Sequence, residues 1–192
     1  MLVLIIGLVI FLGLHSTRIV ADDWRSRKIA SLGERPWKGL YSILSLIGFA
    51  LIIWGYSMAR QQPVMIWNAP LWTRHAASLL VLIAFILLAA TYVPRNHFKA
   101  AIGHPMLAGT KLWAFAHLLS NGTLADVLLF GSFLVWAIFG FRSARRRDRL
   151  AKTQYPSGTV GGTVISIIVG AVAWVVFAFF LHGRLIGVNP LG

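Results

Sequence analysis

The chain contains no cysteine, which at one step excludes disulfides, thiolate nucleophiles, iron–sulfur clusters and cysteine-held zinc or haem. Acid is almost as scarce. Five Asp and Glu stand against 18 Lys and Arg, a formal net charge of +13. The sequence holds no paired carboxylates, no glycine-rich phosphate loop and no Ser-His-Asp grouping. Any metal would have to be held by His, Met, Asp, Glu, Tyr or backbone oxygen.

Charge of either sign is low as well, at 12% of residues, where a soluble domain carries about 25% to solvate its surface. What fills the gap is apolar: 58% of residues are hydrophobic. They fall in blocks near 20 residues long, the length that a hydrocarbon core of about 30 Å requires. The reading is an all-α fold, one polytopic transmembrane bundle of about six helices over residues 1–192. The spans are expected near 2–20, 40–59, 75–93, 105–120, 124–141 and 164–181.

Such a basic balance in a soluble protein would suggest nucleic acid. Here the basic residues sit between apolar blocks and are not interleaved with aromatics, so they read as anchors under the positive-inside rule. The partner expected is the lipid bilayer, with a small hydrophobic or redox substrate and no nucleic acid; the sequence leaves the oligomeric state open. The first block has no charge before Arg18, and its positive charges follow the apolar run, which marks a retained helix with its N-terminus outside rather than a cleaved leader. With that orientation, only Arg60, Arg74 and Arg184 of the 18 basic residues fall on the outer side. The expected location is a bacterial cytoplasmic (inner) membrane, with both termini periplasmic. The run 142–152 is the densest basic cluster and is expected to act through charge. Trp67 and Trp72, in the loop 61–72, suit a membrane interface.

Ionisable groups inside apolar helices are costly unless partnered, and so are functional candidates. Of six histidines, His15 and His117 lie within apolar blocks. Arg18 shares a helical face with His15, and His117 lies between Trp113 and Asn121 at i−4 and i+4. Two imidazoles from facing helices can hold haem iron axially, with Arg18 or another basic residue pairing a propionate. The competing reading is that each histidine bonds a neighbouring helix. Depth bears on the choice: counted at about 1.5 Å per residue, His15 lies roughly 8 Å from the inner end of its helix and His117 roughly 17 Å. Asp126, three residues after Thr123, fits a capping arrangement at the start of the fifth helix. His104 precedes Pro105 and so falls at the positive end of the fourth.

The segments GLHSTRIVADDWR (13–25), WKGLYSILSLIGF (37–49) and GHPMLAGTKLWAFAHLLSNGTLADVLLFGSFL (103–134) closely resemble the NnrU family of bacterial membrane proteins. That resemblance implies a link to denitrification and nitric oxide metabolism. The same domain occurs in 15-cis-zeta-carotene isomerase, an integral membrane enzyme using haem b with histidine ligands. Its pattern is a His-Ser on an early helix and a second His thirteen residues after a His-Pro. His15-Ser16 and His104-Pro105…His117 reproduce it, which implies His15 and His117 as axial ligands and a redox or isomerase role. Gly103 stands where the isomerase has Arg, and the isomerase's later histidines are missing. A weaker similarity, His104-Pro105 to Gly109, is to isoprenylcysteine methyltransferases and implies S-adenosylmethionine instead. A non-catalytic membrane assembly factor is the third expectation.

Overall fold

The computed structural model describes residues 1–190. It is helical throughout, apart from connectors and one isolated bridge between Met65 and Thr123. The helices are α1 (Leu2–Val20), α2 (Asp22–Leu32), α3 (Glu34–Gln61), α4 (Leu71–Tyr92), α5 (His97–Ile102), α6 (Pro105–Ser120), α7 (Leu124–Ala151), α8 (Val160–Val175) and α9 (His182–Ile186). A π-helical segment, Val176–Leu181, joins the last two.

The expected all-α polytopic class is what the chain adopts. Five helices are long and apolar enough to cross a membrane: α1, α3, α4, α7 and the continuous run Val160–Ile186. The sixth expected span, α6, has 16 residues. At about 1.5 Å per residue it reaches some 24 Å, short of a 30 Å core. Its ends are set by local chemistry. Pro105 occupies its first turn, and Asn121 ends it in extended backbone.

Several helices outrun their apolar blocks. α3 begins at Glu34 and α7 runs on to Ala151, because the charged residues there are good helix formers once outside the bilayer. α2 forms in what reads as a basic connector. It buries no residue, carries Asp22 and Asp23 in its first turn, and sets Trp24 against Trp37 at 6.0 Å. α5 forms within the polar stretch after α4, capped by the Asn96 side chain, which accepts from the Lys99 N–H at 2.8 Å.

In space the spans follow the order α3, α1, α7, α6, α4, α8; each pair of neighbours is antiparallel except α1 and α7, which run parallel. The α1–α3 pair is held by small residues. Side chains at Gly7, Gly48 or Gly55 would strike the backbone of the facing helix, so these glycines let two main chains come close enough to pack. At the opposite end from the basic run, the loop after α3 lies on the α6–α7 turn. Ile66 and Trp67 donate to the Gly122 carbonyl, and Leu124 donates to that of Val64. α9 reaches across the same end, where Arg60 of α3 donates to the Ile186 carbonyl.

Candidate functional site

α7 lies between α1 and α6, and these two do not touch each other. His15 therefore meets α7 from one flank and His117 from the other. His15 stands edge-on to Trp136 at 6.0 Å, while His117 stacks on Phe130 at 4.5 Å. Six residues of α7 separate those contacts, or about 9 Å along its axis. The depth offset counted from sequence persists in these ring contacts, which lie on opposite flanks of α7.

What joins the two histidines is a run of rings. His15 stacks on Phe11 at 4.2 Å, Phe11 meets Phe133 at 5.8 Å, Phe133 meets Trp113 at 5.6 Å, and Trp113 meets His117 at 5.1 Å. This aromatic seam excludes water between the two imidazoles.

Both imidazoles are fixed in the same way. Nδ1 of His15 lies 2.7 Å from the Phe11 carbonyl, and Nδ1 of His117 lies 2.8 Å from that of Trp113. A carbonyl oxygen only accepts, so each Nδ1 carries the hydrogen. In a neutral ring the lone pair is then on Nε2, the tautomer that a metal ligand needs. Beside His15 stand two buried donors with no hydrogen-bond partner, Trp136 Nε1 and Ser45 Oγ. Ser45 is placed there by its helical face, since Tyr41 meets His15 one turn before it and Phe49 meets Phe11 one turn after. Orphaned buried donors of this kind call for an acceptor.

The remaining candidates sit elsewhere. Asn121 caps the end of α6, donating to the His117 carbonyl at 2.9 Å and to Ser120 Oγ at 3.1 Å. Arg18 is exposed at the end of α1, and its carbonyl accepts from Arg147 at 3.3 Å. Asp126 is 4% exposed and completes the capping box with Thr123 that its spacing implies. It accepts from the Thr123 N–H at 2.9 Å, from Thr123 Oγ1 at 2.6 Å and from Tyr56 Oη at 2.6 Å. A carboxylate inside a spanning helix costs about 3 kcal/mol. Three bonds to a charged acceptor, at about 1.5–3 kcal/mol each, exceed that cost, and Asp126 ties α3 to α7.

The family described as NnrU protein matches residues 3–190. The chain belongs to the NnrU family. No curated protein and no solved structure matches it.

In this NnrU protein the sequence reading missed a second polar cluster, at the basic end. His104 caps the start of α6, and its Nε2 donates to Asp148 Oδ2 at 2.8 Å. Tyr155 donates to the same oxygen at 2.9 Å, and Arg145 lies 3.8 Å from it. Burial first, then the bond to Asp148, raises the Tyr155 phenol above its ordinary range, so it remains a neutral donor. The available signal was Asp148 itself, the one acid inside the basic run 142–152. Among the described residues no group of three or more His, Asp or Glu gathers as a metal cluster.

Proposed function

We propose that this NnrU-family protein binds haem b in the membrane through His15 and His117 and serves redox chemistry tied to nitrogen-oxide metabolism. One observation carries the reading: both intramembrane imidazoles are oriented by an Nδ1–H bond to the carbonyl four residues back, leaving two Nε2 lone pairs. The donor type fits haem iron, which accepts neutral imidazole nitrogen, and His15 and His117 are the residues that would hold it. The orphaned donors Trp136 Nε1 and Ser45 Oγ fit an acceptor carried by a bound group on the His15 side.

When bound, haem would supply one-electron transfer between its ferric and ferrous states. The chain's own contribution is orientation and exclusion. The Phe11 and Trp113 carbonyls set the two rings, and Phe11, Phe133 and Trp113 keep the space between them dry. A dry, apolar surround is one of the levers by which a protein tunes a redox centre.

The absorption spectrum of detergent-purified protein, expressed with added haem precursor, tests this directly. A Soret band with sharp visible bands in the reduced form is the expected result. A colourless protein of normal helicity would leave the histidines as interhelical packing groups.

The excess of basic residues at one end supports a cytoplasmic position for that end in a bacterial inner membrane, with both termini periplasmic. C-terminal fusions are then expected to give active alkaline phosphatase and dark green fluorescent protein. A bright fluorescent fusion would reverse the orientation of α8.

A further inference from the structure

The basic run at the end of α7 divides into two faces. Arg147 turns toward α1: its Nη1 bonds Ser143 Oγ of α7 itself at 2.8 Å and the Arg18 carbonyl of α1 at 3.3 Å. Arg142, Arg145 and Arg149 recur at i, i+3 and i+7 and share another face. With Phe141 they line a recess of about 340 Å³.

Setting the orientation of a membrane protein requires positive charge and nothing more. It does not require three guanidinium groups around one recess with an aromatic ring in its wall. The nearby carboxylate, Asp148, is held in place by both His104 and Tyr155. Arg142 and Arg149 form no ion pair among the described residues. A further cation stands behind the recess: the Lys111 ammonium lies 3.9 Å from the centre of the Phe141 ring. The local balance stays positive: Asp148, 3.8 Å from Arg145, is the one carboxylate beside three arginines and Lys111.

The depth of the recess narrows the class of ligand. Phe141 is the last residue of an apolar block and Arg142 the first of the basic run, so the recess lies where hydrocarbon gives way to headgroups. Planar guanidinium forks match phosphate oxygens in pairs, which a lysine ammonium cannot do. We infer that the recess formed by Phe141, Arg142, Arg145 and Arg149 binds a phosphate-bearing amphiphile, its phosphate on the arginines and its apolar part along the bundle. This site is remote from the histidine seam and independent of haem.

The test uses the full chain in detergent, presented with equimolar dioleoyl phosphatidic acid and dioleoyl phosphatidylcholine and read by native mass spectrometry. Retention of phosphatidic acid over phosphatidylcholine by roughly ten-fold is expected. The variant Arg142→Lys/Arg145→Lys/Arg149→Lys keeps the charge and the helix propensity, and is expected to lose most of that preference. Arg147→Lys, whose side chain turns toward α1, is expected to retain it. Should the triple variant lose helicity by circular dichroism, Arg149→Lys alone, at the exposed end of α7, is expected to reduce the preference several-fold. Equal retention of the two lipids overturns the site, as does an unchanged preference in the triple variant, which would reduce the cluster to charge alone. An equal loss in the Arg147 control would do the same. Displacement of the lipid by millimolar inorganic phosphate would overturn the amphiphile in favour of a soluble anion.

Discussion

Replacing His117 with alanine is expected to remove bound haem or shift its Soret band, and His15→Ala is expected to do the same. Each change would remove one proposed ligand while leaving the other imidazole pinned to its own helix. The two rings are anchored to different helices, so neither can take over the other's position. The double variant should lose the band altogether. His75→Ala supplies the control, because His75 is exposed on α4, a helix that touches neither α1 nor α7. His104→Ala should leave the spectrum unchanged, since that imidazole is engaged with Asp148 at the basic end. Sensitivity to His117 alone would mean a single-histidine ligation and would exclude His15. Sensitivity to His75 would overturn the assignment, because no ring contact links it to the seam.

Gly55→Leu is expected to cost about 3 kcal/mol and to show as a large fall in the thermal unfolding midpoint in detergent, because overpacking a tight contact is paid in backbone displacement. The neighbours that a side chain there would strike are main-chain atoms of Val3 and Leu4, which cannot turn aside as a side-chain tip would. Gly131→Leu is the matched comparison, as a Cβ there meets nothing within 4 Å. Equal stability of the two variants would show that α1 and α3 do not approach as closely as their glycines imply.

Much of this fold can be read from apolar block length, and the reason is physical. A bilayer demands about 20 apolar residues whatever the neighbours, so α1, α4 and α7 announce themselves. The Thr123–Asp126 cap and the Pro105 start were equally legible, since both depend on residues within one turn. α2 and the extension of α7 to Ala151 were not legible, because hydropathy reports where a chain crosses the membrane and not where a helix ends. The site was legible in part. His15 and His117 stand out as polar residues in apolar blocks, and their matched Nδ1 bonds lie within single helices. That α7 would come between them is a matter of helix order in space, which no local pattern encodes. Asp148 was hidden for the same reason: its partners His104 and Tyr155 lie 44 and seven residues away in the chain.

The position of α7 also sets a timetable for assembly. The α1–α3 hairpin carries its own contacts and can close as soon as both strands of it are in the membrane. The His15 side of the seam, however, has no ring on α6 to meet, and every aromatic contact between the α1 and α6 sides passes through Phe130, Phe133 or Trp136. Those three residues enter the bilayer only with α7, the fourth of the five long apolar helices to be synthesised. Until then the two histidines belong to separate halves, and a chain halted before residue 130 carries both histidines but not the rings that join them.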